Sequence, residues 1–145
     1  MTRSTLEGVA ALTAQLNALS SLEEGRALRG AVRAGMKPAL ERAQTLAPVG
    51  SQPHRLKNGL LVAPGYARST LRIVTTINGA KNIASAILST RKLAFYEALF
   101  VEMGTRKMPA QPWLRRSLLE SRPRCEEAFR DSIARAVARA AAKRQ

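Results

Sequence analysis

The sequence predicts an α+β fold, in which a long N-terminal helix and a C-terminal helix pack on a small antiparallel sheet. Apolar residues recur at helical spacing in the first third of the chain and again over its last thirty residues. Between them, residues 70–77 alternate in polarity and are rich in β-branched side chains, which favours a strand. Asn78-Gly79 is a strong turn signal, so residues 83–90 are expected to return as the partner strand of a hairpin over about 70–90.

The first third of the chain predicts two helices. The first helix covers residues 5–19. The second helix starts at a capping box that begins at Ser21, and it runs to about Ala47. Pro38 lies inside the second helix, so a bend is expected near residues 34–38. The apolar residues expected to form its buried stripe are Leu28, Val32, Met36, Leu40 and Ala43.

The charge is strongly basic, with 24 Lys and Arg against 10 Asp and Glu and a net charge of +14 over 145 residues. Such an excess attracts polyanions. No acidic residue occurs between Glu41 and Glu97. Proline and glycine recur throughout residues 48–69, which predicts an exposed basic loop. The alternative is a solvated loop that binds nothing. The candidate residues for contact with DNA or an acidic subunit are Arg55, Lys57, Arg68 and Arg72.

The predicted sheet needs support, because an isolated two-stranded hairpin is marginally stable. We expect three or more strands, with Leu60-Leu61-Val62 as a further edge strand, or completion by a neighbouring subunit. At the other end of the chain, Pro123 is expected to kink the last helix or to open a new one. Residues 123–143 have little apolar bulk, which predicts an exposed helix or one that docks on another subunit.

The residue types needed for catalysis are scarce. His54 is the only histidine and lies in a loop without acids, so a surface role is expected. Cys125 is the only cysteine, which excludes an internal disulfide and favours a small buried side chain. The sequence contains no cluster of potential metal ligands and no nucleotide-binding glycine motif. We therefore predict a protein that is not an enzyme and that has no cofactor, no metal and no membrane contact.

The most informative stretch is residues 95–119, which hold two of the three Phe and the only Trp. Gly104 suits the end of a helix, and the prolines at 109 and 112 keep the next residues extended. Trp113 and Leu114 then form a bulky apolar pair at the start of a basic helix. This order predicts a helix, a stiff exposed link and an anchor that must be buried.

The same residues carry a resemblance to a known family. Tyr96 is followed by Val101-Glu102-Met103-Gly104-Thr105 and then by Ala110-Gln111-Pro112-Trp113-Leu114-Arg115. This order resembles the phage neck family of small head–tail joining, or tail-completion, proteins from long-tailed lambdoid-type phages. The pattern departs from the family at residues 116–118, where Arg-Ser-Leu stands in place of the usual Pro-Ala-Leu.

The length of 145 residues predicts a single domain. The resemblance implies a structural protein of the virion, made in the host cytoplasm, that joins or completes the neck as an oligomeric ring. Its partners would be copies of itself and neighbouring connector and tail proteins, with DNA in the channel as a further candidate contact. The alternative is a non-specific DNA-binding basic protein. The residues that the resemblance places at a subunit interface are Tyr96, Glu102, Gly104, Thr105, Pro112, Trp113, Leu114 and Arg115.

Overall fold

Two long antiparallel helices form the frame of the fold in a computed structural model that describes residues 21–78 and 83–143. The predicted helix over 5–19 and the hairpin turn after Asn78 lie outside the described residues. In chain order, the elements are α1 (Ser21–Leu46), β1 (His54–Arg55), β2 (Leu61–Val62), α2 (Tyr66–Ser69), β3 (Arg72–Asn78), β4 (Ile83–Ser89), a 3₁₀ turn (Lys92–Ala94), α3 (Phe95–Met103) and α4 (Trp113–Ala142). These elements confirm the predicted α+β class.

Helix α1 turns its smallest residues towards α4. A Cβ atom added at Gly35 would lie 3.1 Å from the Cβ of Phe129, so the two helices approach each other closely at this point. The predicted stripe was wrong for every residue except Ala43, since the larger apolar side chains one position further along are only half-buried. Small side chains permit short distances between helix axes, which places them rather than leucines at the seam. The buried residues of α1 recur every four positions and are Ala27, Ala31, Gly35, Ala39 and Ala43.

Helix α4 is one continuous helix that passes through Pro123. The Ser121 hydroxyl donates a hydrogen bond of 3.3 Å to the Pro38 carbonyl oxygen on α1. Further along, Ile133 is completely buried. The prediction that residues 123–143 form an exposed helix was therefore wrong for its inner side, which packs along the small residues of α1. Its outer side remains exposed.

The hairpin prediction is confirmed, because β3 pairs with β4 in antiparallel register. Ile73 pairs with Leu88 on the side that packs against α1, whereas Val74 pairs with Ile87 on the opposite, more exposed side. The strand predicted near residue 60 is present as β2, but its predicted pairing with the hairpin was wrong, because β2 pairs with β1 as a separate short ribbon. Within residues 72–89, apart from the four residues of the turn, the sheet has two strands and both of its outer edges lack a strand partner.

Candidate protein-docking surface

Glu102 connects α3 to the first turn of α4. Its carboxylate oxygens accept hydrogen bonds from the backbone N–H groups of Leu114, at 2.8 Å, and Arg115, at 3.0 Å. The first N–H groups of a helix have no partner within the helix, and a negative charge is stabilised at that end. Pro112, which precedes the helix, makes no side-chain cap. A carboxylate from a different helix therefore caps α4.

The residues between the two helices form a tight turn. Gly104 has a φ of 76°, and a Cβ atom there would lie 2.7 Å from the Ala110 nitrogen, so only glycine fits without strain. The backbone N–H of Thr105 donates to the Met108 carbonyl at 2.8 Å, and the reverse hydrogen bond measures 3.2 Å. Glu102, Gly104 and Thr105 thus serve the internal structure of the turn.

Trp113 lies in the chain's own core. Its side chain is 4% exposed and packs with Ala43, Ala47, Leu71 and Ala98. The prediction that Trp113 anchors a neighbouring subunit was therefore wrong, because the alanines of α1 and α3 leave a space that the indole fills within the monomer. Leu114 is half-buried against the same cluster.

Helix α3 carries large apolar side chains that are largely exposed. Of its nine residues only Ala98 is buried. Tyr96 is 58% exposed, Phe100 50% and Met103 64%. The Phe95 and Tyr96 rings meet edge to face with centroids 5.7 Å apart. Of the predicted interface residues, Tyr96 is thus the one that the structure places on a large exposed apolar surface.

A groove runs between α3 and the turn that joins β1 to β2, and we call it the α3 groove. It comprises two depressions of about 290 and 350 Å³ that share Leu56, Lys57, Leu93 and Tyr96. Their apolar floor is formed by Leu56, Leu93, Tyr96 and Phe100, and their basic rim by Arg55, Lys57 and Lys92.

The turn on one side of the α3 groove has a defined conformation. The backbone N–H of Leu56 donates to the Leu60 carbonyl at 2.9 Å, and the Arg55 guanidinium donates to the Gly59 carbonyl at 3.0 Å. At the base of the ribbon, His54 Nε2 lies 2.5 Å from an oxygen of Glu97 on α3. His54 is a surface residue as predicted, but it has an acidic partner 43 positions away that local sequence did not indicate.

The predicted polyanion contacts do not form one surface. Arg55 and Lys57 lie together on the rim of the α3 groove. Arg68 lines a separate depression beside Val49 and Pro64, and Arg72 begins strand β3. The structure also shows basic residues that the sequence prediction missed. These are the exposed residues Arg26, Arg29, Arg33 and Lys37 of α1. Their spacing of three and four positions could have predicted a basic side of this helix.

Two ionisable groups outside the α3 groove have shifted pKa values. Glu120 accepts hydrogen bonds of 2.6 Å from Arg116 and from Arg42, which lower the pKa of its carboxyl group. Burial raises the pKa of the Cys125 thiol, an effect that a hydrogen bond with the Ala39 backbone and the nearby Arg124 only partly oppose. Residues 21–78 and 83–143 contain no group of three or more potential metal ligands.

None of the described helices is long and apolar enough to span a membrane. A cavity of about 450 Å³ lies on the other side of α3 and is lined by Tyr66, Phe100 and Trp113.

No protein-family model, curated protein or solved structure matches the chain.

Proposed function

We propose that this chain is a structural protein of a tailed phage or prophage, which joins or completes the neck between head and tail through oligomeric protein–protein contacts. The observation that carries the proposal is the apolar surface of α3, where Tyr96, Phe100 and Met103 are at least half exposed. Contiguous apolar surface of this kind marks a site of protein association. An assembly protein needs such a surface and no catalytic group.

The motif residues support a structural role. Both oxygens of Glu102 are occupied by backbone N–H groups, so this carboxylate is not free to act as a base. Gly104 and Thr105 fix the turn that leads into α4. The motif that resembles the neck family thus sets the relative position of α3 and α4, and with it the orientation of the apolar surface.

A second apolar surface favours assembly into a closed ring. On the outer side of the hairpin, Val74 pairs with Ile87, and Ile83 lies nearby on β4. All three side chains are more than a third exposed. This hairpin surface is available for contacts between copies even when a different protein covers the α3 groove, and head-to-tail contacts close into rings when the rotation between copies allows it.

The alternative function, non-specific DNA binding, is favoured by the net charge of +14 and by the basic residues along α1. It is distinguished by the salt dependence of binding to a short DNA duplex. Neutralisation of six or more phosphates should give a log–log slope of about −5 or steeper, because each contact releases counterions. A neck protein that uses its charge for subunit docking should give a slope of about −2 or shallower.

The direct experiment deletes the gene in its phage or prophage and examines induced lysates by electron microscopy. Filled heads and complete tails that remain separate are the expected result, and complementation with the wild-type gene should restore joined particles. Joined particles at normal titre in the deletion strain would contradict the proposal. The genes that flank this one should also encode portal, capsid and tail proteins.

A further inference from the structure

We propose that the α3 groove binds a segment of a different protein, and that this segment is both apolar and acidic. The inference rests on the proposed function, since it names the chemistry of a partner in the neck. It joins two features that are far apart in the sequence, the basic residues of the loop and the aromatic surface around Tyr96.

The floor of the groove requires an apolar occupant. Leu93, Tyr96 and Phe100 are each more than 40% exposed although they line a concave surface. Burial of such side chains is favourable by about 25 cal/mol for each Å² removed from water. A partner that presents leucine or aromatic side chains gains this free energy, whereas a purely polar polymer does not.

The rim of the groove selects negative charge. Lys57 and Lys92 are exposed, and neither pairs with an acid in the described part of the chain. The only acid in the groove, Glu97, already contacts His54. A partner with carboxylates beside its apolar residues would therefore meet uncompensated positive charge on the rim, which favours association and orients it.

A second copy of this chain does not fit that description. Each copy has a net charge of +14, so two copies repel each other at a basic rim. Three of its ten acidic residues, Glu102, Glu120 and Glu126, are moreover hydrogen-bonded within the chain. Duplex DNA carries the negative charge, but its surface is dominated by phosphates and offers no continuous apolar face to cover Leu93, Tyr96 and Phe100. An acidic protein segment satisfies both the floor and the rim.

The test measures binding of synthetic 16-residue peptides to the full chain by fluorescence anisotropy. One peptide has leucine on one face of a helix and glutamate on its flanks, and its control has lysine in place of every glutamate. A fluorescent oligothymidine of the same length is the third probe. We expect the acidic peptide to bind, the lysine peptide not to bind, and the oligothymidine not to compete with the acidic peptide.

Two pairs of substitutions locate the binding. Lys57→Glu with Lys92→Glu reverses the rim and should weaken the acidic peptide at least about tenfold, since close charge pairs contribute more than 1.4 kcal/mol when partly desolvated. Arg29→Glu with Lys37→Glu makes the same change in net charge at two residues of α1 that do not line the groove, and should weaken binding less than about threefold, by screened long-range attraction alone. Tyr96→Ser should also weaken binding without changing the net charge.

Several results would overturn the proposal. These are no binding of the acidic peptide up to about 1 mM, equal loss in the two charge-reversed pairs, or equal binding of the lysine peptide. Tighter binding of oligothymidine that depends on Tyr96 would assign the groove to single-stranded nucleic acid, where aromatic residues stack on bases. A dimer that Tyr96→Ser disrupts and the peptide displaces would assign it to a second copy.

The peptide assay does not depend on virion assembly. Loss of joined particles on gene deletion, together with no peptide binding, would leave the neck function standing and remove the groove. Peptide binding together with normal particles in the deletion strain would support the groove as a binding site and remove the neck function.

Discussion

The Oε2 atom of Glu102 on α3 accepts a hydrogen bond of 2.8 Å from the backbone N–H of Leu114 on α4. The other carboxylate oxygen accepts from the next N–H along the helix, at 3.0 Å. One side chain therefore satisfies two of the unpaired donors of α4 and fixes where α3 sits against it. Glu102 and Leu114 are 12 positions apart, and the turn that joins α3 to α4 lies between them.

Glu102→Ala should lower the free energy of unfolding by about 0.5–2 kcal/mol, the range for loss of a helix cap. Urea denaturation followed by circular dichroism measures this change. Glu127→Ala is the matched control, because Glu127 lies exposed on α4 and should change stability by less than about 0.5 kcal/mol. Equal stability of the two variants would show that the cap contributes nothing.

Gly104→Ala should be among the most destabilising single changes in the turn. The alanine Cβ would meet the Ala110 nitrogen at 2.7 Å and would force a residue with a side chain to a φ of 76°. Strained backbone of this kind costs on the order of 1–3 kcal/mol before the overlap is added. The measurement is the midpoint of thermal unfolding.

Gly59→Ala provides the control for that experiment. Gly59 has a similar φ of 82°, but a Cβ atom there meets nothing within 4 Å. It should therefore lose only the backbone term of about 1–2 kcal/mol. A Gly104→Ala variant no less stable than Gly59→Ala would mean that the turn can open to admit the methyl group.

Local sequence patterns accounted for the elements but not for their contacts. The alternation over residues 70–77 and the Asn78-Gly79 pair located the hairpin, since both signals are local. The seam of α1 was misplaced by one residue because hydrophobicity ranks leucine above alanine, whereas close helix packing favours the smaller side chain. For this reason Ala27 is the buried residue, whereas Leu28 was expected to be.

The candidate site was predicted only in part, for the same reason. Tyr96 and Lys57 were both identified, but 39 residues separate them and nothing local indicated that they line one groove. The contact between His54 and Glu97 likewise depends on the path of the chain between them. Trp113 was expected to be buried, and it is, but whether its partner is the same chain or a neighbour is a question of tertiary packing.

The two helix glycines of α1 should respond to alanine in opposite ways. A Cβ atom at Gly30 meets nothing within 4 Å, so Gly30→Ala should raise stability by about 0.5–1 kcal/mol through the better helix propensity of alanine. At Gly35, the Cβ atom would lie 3.2 Å from the Cys125 carbonyl oxygen. Gly35→Ala should therefore gain less than Gly30→Ala, and Gly35→Val should lose about 1–3 kcal/mol by overpacking.

Urea denaturation of the three glycine variants provides the measurement. Equal gains from Gly30→Ala and Gly35→Ala would mean that α1 and α4 are further apart than the geometry indicates. A Gly35→Val variant as stable as the wild type would have the same implication.

Trp113 and Tyr96 should separate stability from docking. Trp113→Ala removes a side chain that is 4% exposed and should cost about 3–5 kcal/mol. Tyr96→Ala removes one that is 58% exposed and should change stability by less than about 0.5 kcal/mol. Thermal unfolding tests stability, and complementation of the gene deletion tests assembly. A Trp113→Ala variant that is stable but fails in assembly would show that Trp113 acts at a subunit interface, as the sequence predicted.

The stability that Glu120 contributes should disappear in acid. Arg116 and Arg42 hold the pKa of its carboxyl group below the ordinary value for glutamate, so the folded state favours the ionised form. A depressed pKa stabilises the folded state above the unfolded-state value of about 4.3, and that stabilisation is lost as the pH falls through the lower folded-state value. The melting temperature of Glu120→Gln should therefore lie below that of the wild type at pH 7, with a gap that narrows as the pH falls below about 4. Glu127→Gln should show a smaller gap, and high salt should reduce the Glu120 effect because the ion pairs are at the surface. A gap that stays constant from pH 7 to pH 2 would show that the substitution acts through packing and not through charge.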